Sequence, residues 1–251
     1  MNQDYIFAFL RHGSYHQKPN VPSAWQPYAL DIHGIEQSQL AAQKIIEFAN
    51  NHALNLPEKI FCSNLLRAWE TARVLAENFS TPPNIESDSA LNERSVGALA
   101  NLSVKEIDDI LHSDPRFEHP GFAWKSDSYY RLPFDGAESL MDAGERVANF
   151  IQQQLSKPAN HSQLQIFIGH GASFRHAAHL MGILEFEQIK QYSMHYASPM
   201  FFKWDAAQQK FLHMAGNWKI RPHFTPETTD FTVHRSISET QLTSEIMQWL
   251  D

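Results

Sequence analysis

The sequence holds a single cysteine, Cys62, among 251 residues, so no disulfide can close within the chain. It has no excess of positive charge. The formal net charge of -8 excludes a global attraction to nucleic acid or to an anionic lipid surface and leaves room only for a local basic pocket. Long apolar runs are also missing at the start. The stretch Ile6 to Leu10 stops at Arg11-His12, and the residues before it carry no basic segment, so neither a signal peptide nor a membrane span is expected. These absences predict a soluble, cytoplasmic protein with no nucleic-acid or membrane partner. No internal repeat and no low-complexity stretch occurs. Fourteen histidines raise a metal-binding reading, but there is no HExxH and no paired-cysteine pattern, so no metal site and no cofactor is assigned.

What is present suits one α/β domain, with 43% apolar residues to fill its core. Tyr5 to Leu10, Lys59 to Cys62 and Leu164 to Ile168 are short apolar runs that read as buried strands, with a shorter strand around Ile85. Helical spacing marks 34–51, the stretch after Ser63-Asn64, 138–155 and about 172–181. Ser63-Asn64 is read as a helix cap, and Glu138 as favouring a helix start. Met200 to Trp204 and Lys210 to Met214 form a late strand pair, and 91–135 is irregular apart from a helical patch near 104–111. Alternating strands and helices predict a three-layer α/β sandwich, its mostly parallel central sheet covered by helices on both faces. The domain is assigned to 1–215, with 216–251 a polar extension of no assigned role.

Two strand ends carry a histidine: Arg11-His12 after the first strand and His170 after LQIFIG. Parallel strands end at one edge of a sheet, and ligands bind there. Arg67, opening the helix after the second strand, emerges on the same edge, so Arg11, His12, Arg67 and His170 can converge. The set fits a phosphoryl group. Arginine matches phosphate oxygens with a planar fork of donors. An unprotonated imidazole of His12 can attack phosphorus, and a protonated His170 can donate to the phosphoryl oxygens. A carboxylic acid must protonate the leaving oxygen, and Glu93, in an irregular loop able to fold over the pocket, is the candidate. His176 and His179, at i, i+3 on one helix face, suit packing better than a metal, and Cys62, at the end of a buried strand, reads as inert.

The blocks FLRHGS (Phe9 to Ser14), LDIHGIEQ (Leu30 to Gln37), CSNLLRAWETA (Cys62 to Ala72), LNERSVGAL (Leu91 to Leu99), DGAESLMDAGERV (Asp135 to Val147) and FIGHGASFRH (Phe167 to His176) follow one another in an order that resembles the histidine phosphatase superfamily, the phosphoglycerate mutase-like family. The resemblance implies that fold, a phosphorylated His12, a pocket of Arg11, Arg67 and His170, and Glu93 as proton donor. It also implies Ser14, two places after the nucleophile, near the phosphate. Mutases of the family typically carry an acidic residue, Trp and Asn after the RHG and His-Tyr after Glu-Arg. Here Ser14-Tyr15-His16-Gln17-Lys18 and Ser95-Val96 stand instead. That favours hydrolysis of a phosphomonoester, in a small phosphometabolite or a phosphoprotein, and RHG-x-Y-H is somewhat like phosphoprotein-directed branches. A phosphoglycerate-type mutase and a non-catalytic phosphate-binding or interaction module on the same fold are the alternatives. A homodimer is left open. Phe117, Phe122, Trp124, Tyr129 and Tyr130 either stack on substrate or pack a lid.

Overall fold

Strands covered by helices on both sides have no wet face, and so they carry unbroken apolar runs. The computed structural model describes residues 4–22, 25–121, 124–157 and 163–221. In it β1 (Tyr5–Arg11) leads through a long loop to α1 (Ile32–Asn51), followed by β2 (Lys59–Ser63), α2 (Leu66–Glu77) and β3 (Asn84–Asp88). An excursion containing α3 (Val104–Ser113) precedes α4 (Leu140–Leu155), β4 (Gln165–Gly169) and α5 (Gly171–Leu180). The described chain ends with α6 (Phe186–Gln191), β5 (Tyr192–Ser193), β6 (Met200–Asp205), β7 (Lys210–Ala215) and β8 (Lys219–Ile220).

The main sheet runs in the order β3-β2-β4-β1-β6-β7. β1 to β4 are mutually parallel, and β6 and β7 complete the sheet antiparallel. Alternate residues of β1 point to opposite faces. Phe7 and Phe9 pack with Phe167, Val147, Ile151 and Phe174 under α4 and α5, while Ala8 and Leu10 pack with Ile166, Ile168, Ile45 and Leu75 under α1 and α2. The result is the three-layer sandwich that the sequence implies. A separate small core of Val96, Leu99, Ile107, Leu111, Trp124 and Leu132 holds the excursion together around α3.

Local chemistry explains where the helices begin, and it departs from the sequence reading in three places. α1 starts two residues earlier than expected, because the Asp31 carboxylate accepts the Gly34 N–H as its cap. α2 has Leu65 at its cap position, with no side chain to accept an N–H. Ser63 ends β2, and its hydroxyl accepts the Leu65 N–H at 3.2 Å at the entry to the helix and also meets Asn92 and His170. α4 is capped not by Glu138 but by Ser139, in a reciprocal capping box with Asp142. Glu138 pairs with Arg146 at 2.8 Å and accepts the Ser95 N–H. Within the extension assigned from 216, β8 pairs with β5. Residues 222–251 and Phe122 lie outside the described residues. Among the described residues no helix is long and apolar enough to cross a membrane.

Candidate active site

β1 and β4 lie side by side, with Arg11 level with Gly169. The His12 N–H donates to the Gly169 carbonyl at 3.0 Å, so the two strand-end histidines leave the sheet together. Their rings stand 5.0 Å apart. Arg67, from the first turn of α2, reaches both. Its Nε donates to His12 Nε2 at 3.2 Å, its Nη2 lies 3.2 Å from His170 Nδ1, and its Nη1 donates to the Gln26 carbonyl at 3.2 Å. One turn on, Thr71 Oγ1 accepts the Gly13 N–H at 3.0 Å, seating the loop after β1 against α2.

These bonds fix the tautomers. His12 Nδ1 stands 2.8 Å from the Gly13 carbonyl, which can only accept, so Nδ1 carries the proton and Nε2 is bare. Ser63 Oγ donates to Asn92 Oδ1 at 2.7 Å and is left to accept from His170 Nε2 at 2.8 Å. His170 therefore presents its bare Nδ1 to Arg67. Burial, followed by the nearby Arg67 charge, holds both rings well below the ordinary histidine pKa. Both are neutral at neutral pH. His12 is ready as a nucleophile, whereas His170 must gain a proton before Nδ1 can donate.

Arg11 leaves the end of β1 with its guanidinium 3.8 Å over the Tyr196 ring and Nη1 donating to the Met194 carbonyl at 3.0 Å. The carboxyl of Glu93 sits at the start of α5, where Oε1 accepts the Ser173 N–H at 3.0 Å and Oε2 the Ala172 N–H at 3.2 Å. Asn92, the residue before Glu93, holds Ser63 and thus His170, so the proton-donor candidate and the second histidine share one support. The structure brings Arg11, His12, Arg67 and His170 to one edge of the sheet, and Glu93, from the loop after β3, reaches the start of α5 beside them.

Ser14 is the exception. Its Oγ donates to Asp31 Oδ2 at 2.6 Å and its N–H to Gln37 Oε1 at 2.9 Å, so it anchors the start of α1 rather than offering a proton to the pocket. Sequence reasoning missed Tyr15, Tyr196 and Asn92 as site residues. Tyr15 lay in the RHG-x-Y-H run, but Tyr196 sits in a loop with no periodicity to mark it. The aromatic residues of the excursion chiefly pack one another. Trp124 is buried in the small core, Tyr130 and Phe134 flank it, and Phe117 meets Phe134 at 6.1 Å. Tyr129 is exposed and stacks on Phe186. Among the described residues no three His, Cys, Asp or Glu side chains group to hold a metal. His176 bonds the Ala172 carbonyl and Ser128, and His179 the Leu184 carbonyl, so both serve packing. Cys62 is fully buried, its thiol pushed up to about 11 by burial.

The site is two strand-end histidines joined by an arginine at one edge of a mostly parallel sheet. The chain belongs to the histidine phosphatase superfamily (branch 1), whose family model matches residues 7–216. It is 29% identical over 220 residues to the 2,3-bisphosphoglycerate-dependent phosphoglycerate mutase of Histophilus somni (strain 2336), covering 79% of this chain and 94% of that one. Among solved structures it resembles a mycobacterial glucosyl-3-phosphoglycerate phosphatase, with a TM-score of 0.62 and 20% identity over 84% of this chain and 97% of that chain. It also resembles the phosphoserine phosphatase of Entamoeba histolytica in complex with 3-phosphoglyceric acid, with a TM-score of 0.57 and 13% identity over 85% and 96% of the two chains. At these identities the structural likeness is one of fold.

Proposed function

We propose that this chain is a metal-independent phosphatase that hydrolyses a phosphomonoester, in a small phosphometabolite or a phosphoprotein, through a phosphohistidine on His12. The observation that carries the reading is the state of His12: buried, neutral, with Nδ1–H tied to the Gly13 carbonyl and Nε2 bare beside Arg67. The substrate's phosphoryl oxygens replace Nε2 and His170 as acceptors of the Arg67 donors, with Arg11 on the other side. His12 Nε2 forms a bond to phosphorus as the ester P–O bond breaks, and Glu93 gives its proton to the leaving oxygen. The Gly13 carbonyl steadies the positive charge that appears on the Nδ1–H side of the ring. An incoming dianion raises the proton affinity of His170, whose Nδ1 then donates to a phosphoryl oxygen. Water next attacks phosphorus, Glu93 takes up its proton, the N–P bond breaks and inorganic phosphate leaves.

The sequence relatives keep phosphoryl transfer to a second substrate position open as the alternative. Hydrolysis is favoured by what replaces the mutases' His-Tyr pair. Ser95 accepts the Trp25 indole N–H and gives its own N–H to Glu138, so this stretch is bound up in the protein. The test is release of inorganic phosphate from alkyl phosphomonoesters in excess EDTA, run beside 2-/3-phosphoglycerate exchange with bisphosphoglycerate added. Phosphate release without exchange is expected. Robust exchange returns the mutase reading, and activity lost to EDTA and restored by zinc or magnesium defeats the metal-free mechanism.

A further inference from the structure

We propose that Tyr15 is a further catalytic residue: its hydroxyl donates a hydrogen bond to an oxygen of the phosphoryl group held in front of His12. The inference rests on the phosphoryl reading of the pocket and adds a donor to it. Tyr15 is 5% exposed, and its backbone is pinned by a bridge to Leu30. The Arg67 guanidinium lies 4.8 Å over its ring, and the His12 ring meets it edge-on at 5.3 Å. The groups that act on the phenol are Arg67, Tyr196, Arg11 and Glu93, which surround the pocket. The hydroxyl therefore faces the reacting centre and not the core around α3.

Yet, among the described residues, Tyr15 Oη is buried with no hydrogen-bond partner, and so is Arg11 Nε. A buried polar group left unpaired is a cost to the fold, and native structures rarely carry one without a use. Two idle donors in one pocket, beside a bare imidazole nitrogen, are what an oxyanion would satisfy. Burial also pushes the phenol up to about 12, so it keeps its proton at any working pH and meets an anion as a donor. No bond to Tyr15 forms or breaks in the reaction.

The test is Tyr15→Phe in the full chain, which keeps the ring, its packing and the Arg67 stacking and removes one oxygen. Hydrolysis of an alkyl phosphomonoester is expected to lose roughly 10- to 100-fold in kcat/KM, the usual scale for one charge-assisted hydrogen bond, and the affinity for inorganic phosphate, read by calorimetry, to fall with it. The Tm should hold or rise, because an unsatisfied hydroxyl is gone. Wild-type kcat/KM and phosphate affinity in Tyr15→Phe overturn the proposal. So does a lowered Tm with phosphate affinity unchanged, which would make the hydroxyl structural. Phosphate binding needs no turnover, so it reads Tyr15 even if the wild-type protein hydrolyses nothing. A wild-type protein that neither binds nor releases phosphate removes the pocket and Tyr15's role together.

Discussion

Arg67 holds both histidines at once, its Nε 3.2 Å from His12 Nε2 and its Nη2 3.2 Å from His170 Nδ1. It is fully buried and fixed at its third nitrogen by the Gln26 carbonyl. The guanidinium is thus held aligned by two neutral imidazoles and one backbone carbonyl. Arg67→Lys supplies a point charge that cannot serve both positions. A loss of roughly 100- to 1,000-fold in kcat/KM is expected, as for removal of one fixed transition-state donor. Near-normal kcat/KM for Arg67→Lys would show that charge alone suffices.

Glu93 is held by the backbone N–H groups at the start of α5. A proton donor matters most for a poor leaving group. Glu93→Gln should slow hydrolysis of an alkyl phosphate by ~100- to 10,000-fold and that of para-nitrophenyl phosphate far less. Equal slowing of both substrates would assign Glu93 to binding or support.

Acid should destabilise this protein early. Burial, then neighbouring arginines, lowers the pKa of His12 and His170 well below 6.5, and burial lowers that of His176 to about 4. The unfolded chain takes up these protons first as pH falls below 6.5, so the stabilisation is complete above that value and is lost on the way down, toward about 4 for His176. Tm measured from neutral pH downward should fall through this window. His176→Gln, able to keep one bond to Ser128, should flatten part of the slope. A Tm that is level across the window would contradict the buried neutral histidines.

Gly34 faces the loop that carries His12. A Cβ there would lie 1.9 Å from the Ser14 carbonyl oxygen, and one on Gly13 would lie 2.6 Å from the Gly34 carbonyl oxygen. Backbone meets backbone, so neither side can yield cheaply. Gly34→Ala is expected to cost about 1–3 kcal/mol, with Tm falling by about 2–4 °C per kcal/mol. Activity should drop further than stability, because the strain moves His12. Unchanged Tm and activity would show that the loop has slack.

The strand-end residues are legible because parallel strands deliver their last residues to one edge, which brings Arg11-His12 and His170 together from the sequence alone. The apolar runs also foretold which strands would be buried on both faces. Residues that act through long-range hydrogen bonds were not legible in the same way. Ser63 reads as a cap by its place before a helix, and its hydroxyl does accept the Leu65 N–H there, but nothing in the sequence shows that it also sets the tautomer of His170. Glu138 looked like a helix start, yet it braces Arg146 and the loop after Glu93. Ser14 followed the family pattern in sequence but found a closer acceptor in Asp31. β5 and β8, two residues each, are too short for any periodicity, although β5 leads into the loop from which Tyr196 covers Arg11.

The central claim is that His12 Nε2 takes the phosphoryl group. Acid-labile label on the protein after rapid quench with phosphate-labelled substrate, followed by mapping of the labelled peptide, tests it most directly. The account predicts label on His12, released by acid and stable to base, and absent together with turnover in His12→Ala. Label on a serine or an aspartate, or full turnover in His12→Ala, would contradict it.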